Sequence, residues 1–277
     1  MRHGIVLAAA GAVALLAGCS GDEPIAPAPP SPSATTTEAT ADPFASPVID
    51  GSYAVEGDRS VAIECWGSGT PSVILETGHP SPGGIQQFGG TDFARRLAEA
   101  STVCAYDRAG TGHSDPAPER PRSADDVVDD LHQLLTKADV HGPFVLIGSS
   151  FGGMIVTHFA TRYSNDTAGV VLLDVPAPTD DLTLKEVPEL AWDAEENPEH
   201  LDVIPEFETR FAGHPAMFQA PLLVITSSAG QSSLDDQRVW LRQAPDSEQV
   251  ELAGGHDIWL DNPDEVEAEV ARFIDDL

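Results

Sequence analysis

The sequence predicts an α/β fold, with a mostly parallel central sheet and helices on both faces. From about residue 48 onward, short apolar strand patterns alternate with helical patterns. Several strand patterns, such as residues 144–148, are continuous apolar runs typical of strands buried on both faces. The chain has 277 residues, which is enough for one large domain.

The individual elements follow from the apolar spacing. Strand patterns occupy residues 61–67, 72–78, 102–107, 144–148, 169–174, 221–227 and 249–254. Helical patterns occupy residues 93–100, 123–138, 153–163, 235–244 and 263–277. Ser123 is a suitable N-cap for the helix over 123–138, and Pro263 begins the last helix. We expect the globular domain to span residues 48–277.

The first residues indicate export. Arg2 and His3 precede an apolar run over residues 5–17, which is too short to span a bilayer and is typical of a signal peptide. The run ends in Leu-Ala-Gly-Cys, which resembles the lipobox of bacterial lipoproteins. This resemblance implies a lipoprotein signal peptide over residues 1–18 and a lipid-modified Cys19, which would hold the exported protein on a membrane. An ordinary secretory signal remains the alternative.

Residues 19–47 are rich in Pro, Ser and Thr and offer little apolar surface. They are predicted to form a disordered tether.

The formal charge of the chain is −31, from 14 basic and 45 acidic residues, so nucleic acid is excluded as a partner. Cys65 and Cys104 remain after Cys19, and an even pair in an exported chain predicts a disulfide, with two buried thiols as the alternative.

The most informative functional motif lies where the strand pattern over 144–148 meets the helical pattern over 153–163. Residues 148–152 read Gly-Ser-Ser-Phe-Gly and fit the G-x-S-x-G nucleophile motif, in which only Ser150 fits the position of the serine. Gly148 and Gly152 leave room for the tight turn. The strand before this motif and the helix after it are the context that the motif requires.

A serine needs a base and an orienting acid. His256 follows the last strand pattern on a Gly-Gly turn, which places it last in the order serine, acid, histidine. Asp174 ends the strand pattern over 169–174 and is the favoured acid, with Asp235 as the alternative. The backbone N–H groups of Phe151 and His79 are the predicted oxyanion donors, although the side chain of His79 is an alternative contributor to the pocket.

An insertion over about residues 176–220 interrupts the alternation. Insertions after the carboxyl ends of strands often carry substrate pockets, so we expect a short helical cap. A surface excursion whose aromatic residues pack on the main core is the alternative. Acidic residues of the insertion, including Asp180 and Glu186, would favour a peptidase if they bound a substrate amine.

Together these residues resemble the α/β-hydrolase fold superfamily over about residues 52–277. The matching stretches are Thr-Gly-His-Pro at 77–80, Asp-Arg-Ala-Gly-Thr-Gly-His-Ser at 107–114, the serine motif, and the histidine loop around 256. The arrangement is especially similar to exported bacterial members related to proline iminopeptidases. The resemblance implies a serine hydrolase.

We therefore expect cleavage of a carboxylic ester or amide in a small molecule or peptide, through an acyl-enzyme. An aminopeptidase of the proline-iminopeptidase type and a non-catalytic surface binding module are the alternatives. The sequence has no His-Glu-x-x-His and no phosphate-binding glycine loop, so we expect neither a metal nor an organic cofactor. We expect a monomer.

Overall fold

The computed structural model describes residues 44–177, 197–202, 217–230 and 232–277. The predicted signal peptide, nearly all of the tether and most of the insertion lie outside these residues. The strands are β1 (Ile49–Val55), β2 (Arg59–Trp66), β3 (Ser72–Glu76), β4 (Thr102–Asp107), β5 (Phe144–Ser149), β6 (Thr167–Leu173), β7 (Leu222–Ser227) and β8 (Ser247–Leu252). They form one sheet in the order β1-β2-β4-β3-β5-β6-β7-β8.

The sheet is mostly parallel. The pairs β1–β2 and β2–β4 are antiparallel, whereas every pair from β4–β3 to β7–β8 is parallel. Within the described ranges, the α-helices are α1 (Gly84–Phe88), α2 (Asp92–Leu97), α3 (Ala124–Lys137), α4 (Phe151–Arg162), α5 (Leu234–Gln237), α6 (Ile258–Asp261) and α7 (Pro263–Asp275). The predicted α/β class is confirmed.

Helices cover both faces of the sheet because successive strand side chains point to opposite sides. In β5, Leu146 packs in the apolar cluster that includes residues of α3 and α4. Its neighbour Ile147 packs in the second cluster, with residues of α2 and α7. The continuous apolar run of this strand is therefore explained by burial on both sides.

The start of α3 illustrates how the sequence specifies a helix. The Ser123 side chain accepts a hydrogen bond from the N–H of Asp126, and the Asp126 carboxylate accepts one from the Ser123 N–H at 2.8 Å. This is a capping box, which satisfies two N–H groups that the helix itself leaves unpaired. Val127 and Leu131 then lie on the buried side of the helix.

The predicted disulfide is present: Cys65 and Cys104 are bonded, with an S–S distance of 2.11 Å. They are directly opposite each other in the β2–β4 pair.

One boundary differs from the prediction, since Phe44 lies within the tether predicted over 19–47 but stacks on Trp66, with ring centroids 4.6 Å apart. The aromatic contact buries apolar surface, so packing onto the domain begins before residue 48.

The helix predicted over 235–244 is divided. Its first part is α5, and residues Arg238–Gln243 continue as a 3₁₀ helix. Within the part of the chain that the structure describes, no helix combines the length and apolar character needed to cross a membrane.

Candidate active site

The turn between β5 and α4 holds Ser150 in a backbone conformation that residues other than glycine rarely adopt. Ser150 has φ 53° and ψ −131°, and its N–H donates to the carbonyl oxygen of Leu173 at 3.1 Å. A Cβ at Gly148 would lie 2.5 Å from the Gly152 carbonyl oxygen, and a Cβ at Gly152 would lie 2.4 Å from the Thr77 carbonyl oxygen. Close backbone approach therefore requires both glycines, and backbone strain of this kind is typical of functional sites.

Asp174 and His256 form a close pair at the same edge of the sheet. His256 Nδ1 lies 2.7 Å from Asp174 Oδ2. The Asp174 side chain is fully buried, whereas 29% of the His256 side chain is exposed. Because a carboxylate only accepts hydrogen bonds, the proton belongs on Nδ1, and Nε2 is then the acceptor of the ring.

Asp235, the alternative acid, is placed elsewhere. It lies in the first turn of α5, where its side chain is 86% exposed and 3.5 Å from Arg238. Its carboxylate is therefore paired at the surface. Of the two candidate acids, the structure brings Asp174 to His256.

Further donors hold the Asp174 carboxylate. Its Oδ1 accepts from the Ser227 N–H at 3.3 Å and from Gln237 Nε2 at 3.2 Å. Gln237 is fully buried, and its Oε1 accepts a hydrogen bond from Thr226 Oγ1 at 2.8 Å. The sequence analysis did not identify Gln237, although a polar residue on the inner side of an amphipathic helical pattern is a signal of a buried hydrogen bond.

Ser150 and Asp174 follow adjacent strands at matching levels, because Ser149 pairs with Leu173 in the β5–β6 register. His256 reaches the same edge through its bond to Asp174. No hydrogen bond joins Ser150 to His256 in the structure. Hydrogen bonds between a nucleophile and its base are often long without substrate and tighten when it binds.

The loop after β3 lies against the serine. A Cβ at Gly78 would be 3.0 Å from the Ser150 Cβ. The side chain of the next residue, His79, is only 1% exposed, although the whole residue is half-buried, so its exposed surface lies on the backbone. Its Nδ1 lies 2.9 Å from Glu199 Oε1, and its Nε2 is 3.0 Å from Asn197 Nδ2. Both ring nitrogens of His79 are thus engaged, which favours its backbone N–H over its side chain as the contributor to the site.

Phe151, the other predicted oxyanion donor, is the first residue of α4. The first N–H groups of a helix have no partner within the helix, and the helix dipole makes this end attractive to negative charge. The Phe151 N–H is therefore available beside Ser150. Both predicted donors are carried by backbone next to the nucleophile.

A group of three buried charged residues, which we call the Arg108 cluster (Glu76, Arg108 and Glu199), contacts the loop after β3. Each of these side chains is at most 2% exposed. Arg108 contacts Glu76 through Nη1 and Glu199 through Nε at 2.5 Å and Nη2 at 2.9 Å. Nothing in the sequence analysis identified this cluster.

The two carboxyl groups of the cluster differ in their pKa. Burial raises the pKa of Glu76, and the attraction of Arg108 offsets only part of this effect. Burial also acts to raise the pKa of Glu199, but the charge of Arg108 and the hydrogen bonds from Arg108 and His79 outweigh it and lower the pKa to about 2. Glu199 is therefore the ionised partner of the guanidinium.

Residues 89–185, about a third of the chain, match the family described as serine aminopeptidase, S33. An uncharacterized protein of Schizosaccharomyces pombe is 32% identical over 147 residues, which are 44% of this chain and 27% of that protein. The chain thus spans well under half the length of this curated relative.

Solved structures match over a larger share of the chain. A thermophilic esterase from Thermogutta terrifontis has a TM-score of 0.63 and 21% identity, covering 84% of this chain and 99% of that one. The enol-lactonase from Burkholderia xenovorans LB400 has a TM-score of 0.65 and 17% identity, covering 81% of this chain and 99% of that one. The chain therefore has the α/β-hydrolase fold.

Proposed function

We propose that the protein is a serine hydrolase that cleaves a carboxylic ester bond through an acyl-enzyme. The observation that carries this proposal is the pairing of His256 with the buried Asp174 at the edge where Ser150 stands on a strained turn. A histidine held in one tautomer by a carboxylate is the base that a serine nucleophile requires. The similarity to an esterase and to an enol-lactonase supports an ester as the substrate.

In the proposed reaction, Ser150 Oγ attacks the carbonyl carbon while His256 Nε2 takes the hydroxyl proton. The N–H groups of His79 and Phe151 stabilise the negative charge that develops on the carbonyl oxygen. The tetrahedral intermediate then expels the alcohol, which receives the proton from His256. Water attacks the acyl-enzyme in the same way, and the acid is released with Ser150 restored.

An aminopeptidase is the second candidate. The family that matches residues 89–185 is described as a serine aminopeptidase, which favours an amide bond next to a free amine. The same groups would act, because an amide differs only in its leaving group. Rates on p-nitrophenyl esters and on prolyl and alanyl p-nitroanilides will separate the two candidates, and faster cleavage of the anilides would favour the peptidase.

Labelling with a fluorophosphonate tests the catalytic role of the site. We expect the wild type to be labelled and Ser150→Ala to be unlabelled. Asp174→Asn should slow labelling strongly, on the order of 10⁴-fold if the histidine tautomer is lost. Asp235→Asn is the matched control and should behave as the wild type, because Asp235 is 86% exposed and pairs with Arg238. A wild type that resists labelling would instead support a non-catalytic binding module.

We further propose that Cys19 carries a lipid anchor and that the domain works outside the cytoplasm. The support is the lipobox-like ending of the apolar N-terminal run. The full chain should fractionate with membranes and be released by detergent but not by high salt, whereas Cys19→Ser should be soluble. Equal membrane binding of the two forms would count against the anchor.

A further inference from the structure

Residues 197–202 belong to the predicted insertion and contact the main domain closely. The Arg122 N–H donates to the His200 carbonyl oxygen at 2.7 Å, and the Asp202 N–H donates to the Arg122 carbonyl oxygen at 3.2 Å. His200 Nδ1 lies 2.7 Å from the carbonyl oxygen of Pro118. This fixed segment carries Glu199 into the interior, where its side chain is 1% exposed.

Arg108 binds the backbone of the loop that faces Ser150. Its Nη1 donates to the Thr77 carbonyl oxygen at 2.9 Å, and its Nη2 donates to the Gly78 carbonyl oxygen at 2.7 Å. The Gly78 carbonyl and the His79 N–H belong to one peptide plane. In a trans peptide these two groups point in opposite directions. The hydrogen bond to Gly78 therefore also fixes the direction of the His79 N–H.

Glu199 contacts both Arg108 and the ring of His79. Its carboxylate binds Arg108 through two hydrogen bonds, a geometry that fixes the guanidinium plane. Its Oε1 also lies 2.9 Å from His79 Nδ1. The Glu199 carboxylate thus orients two groups. One is the guanidinium of Arg108, which holds the 78–79 peptide, and the other is the imidazole ring of His79, whose backbone N–H is the predicted oxyanion donor.

We propose that Arg108 and Glu199 are positioning residues for the oxyanion hole, and that Glu199 couples the insertion to it. Neither side chain touches the reacting atoms; both act through the 78–79 peptide. The inference rests on the proposed function, because it assigns a task to the N–H of His79. Loss of the correct orientation should weaken transition-state stabilisation more than substrate binding.

The test compares Glu199→Gln with Asp129→Asn, each made in the full chain. Asp129 is the matched control because its carboxylate also binds an arginine through two hydrogen bonds, from Arg162 Nε at 2.6 Å and Arg162 Nη2 at 2.8 Å. It lies on α3, and its partner Arg162 ends α4. The measurements are kcat and KM on a p-nitrophenyl ester, the rate of fluorophosphonate labelling, and the Tm. Removing an oxyanion donor lowers kcat by about 10²–10³-fold.

In Glu199→Gln we expect the His79 N–H to be displaced from the oxyanion hole. The kcat and the labelling rate should therefore fall at least about ten-fold, while KM stays within about two-fold of the wild-type value. Asp129→Asn should leave kcat unchanged. A folded Glu199→Gln variant with wild-type kcat would overturn the inference, as would an equal loss of kcat in Asp129→Asn. Failure of the wild type to label at Ser150 would overturn the proposed function and this inference with it.

A double variant, Arg108→Met with Glu199→Met, addresses the case in which Glu199→Gln does not fold. It removes both partners, so it leaves no unpaired guanidinium in the interior. Glu76 then loses the guanidinium that lowers its pKa, so burial, which raises that pKa, favours the neutral carboxyl group in the variant. We expect this variant to fold with the same loss of kcat. A folded double variant with wild-type kcat would contradict the proposed positioning role.

Discussion

The hydrogen bonds that hold Asp174 continue through a chain of polar side chains. Gln249 Nε2 donates to Thr226 Oγ1 at 2.9 Å, and Thr226 Oγ1 donates to Gln237 Oε1 at 2.8 Å. The amide of Gln237 is therefore oriented with Nε2 toward Asp174 Oδ1, 3.2 Å away. Because Oδ1 is held in this way, Oδ2 remains directed at His256.

We expect Gln237→Leu to lower kcat about ten-fold with little change in KM. A hydrogen bond to a charged group contributes about 1.5–3 kcal/mol, and about 1.4 kcal/mol corresponds to a factor of ten in rate. The substitution removes the donor to Asp174 Oδ1, so the carboxylate can rotate away from His256. Steady-state kinetics on a p-nitrophenyl ester will measure the effect.

Gln243→Leu is the matched control for this prediction. Gln243 is also buried, but its amide atoms have no hydrogen-bond partner among the described residues. Replacing an unsatisfied buried amide with an apolar group is neutral or stabilising. The control should therefore keep wild-type kcat. Equal kinetics of the two variants would show that Gln237 does not orient the acid.

The residues of the site differ in how far the sequence reveals them. Ser150 and His256 lie in short local patterns, a tight strand-to-helix turn and a glycine turn before a helix, so their positions could be predicted. Glu199 could not, because it meets Arg108 across 91 residues of sequence, and no local pattern records that contact. One signal was present: Glu76 ends β3 and Arg108 follows β4, and parallel neighbours bring such residues to one edge.

Among the elements, continuous apolar runs were the most informative. The pattern over 102–107 coincides with β4, in which Val103, Cys104 and Ala105 are fully buried, because burial on both faces favours consecutive apolar residues. The sequence analysis missed β1, in which exposed and half-buried residues alternate from Ile49 to Ala54. It also missed α1, whose five residues show too little helical period to be recognised.

The disulfide joins two neighbouring strands and should contribute strongly to stability. Cys65 in β2 and Cys104 in β4 are both fully buried and lie 39 residues apart in sequence. Closing a loop of this length stabilises the folded state by roughly 4 kcal/mol in the chain-entropy model. We expect the double variant Cys65→Ala, Cys104→Ala to lose about this much free energy of unfolding in urea titrations. The wild type with dithiothreitol in the unfolded state should approach the same value, and unchanged stability in both would contradict the assignment.

The charge of the whole chain affects stability independently of any single contact. Acidic residues outnumber basic residues by 45 to 14, giving a net charge of −31. Several basic residues already have acidic partners at the surface, such as Arg272, which lies 2.7 Å from Glu248. The remaining acids repel one another, and self-repulsion of this kind destabilises a compact state.

We therefore expect the Tm to rise with ionic strength. Between about 0.01 M and 1 M salt the Debye length falls from about 30 Å to about 3 Å, so long-range repulsion is screened. For a domain of this size the Tm should increase by about 2–4 °C for each kcal/mol of repulsion removed. Thermal unfolding in NaCl, KCl and CsCl provides the control, because screening depends on ionic strength and not on the identity of the cation. A Tm that fell with salt would mean that attractive ion pairs outweigh the repulsion among the acids.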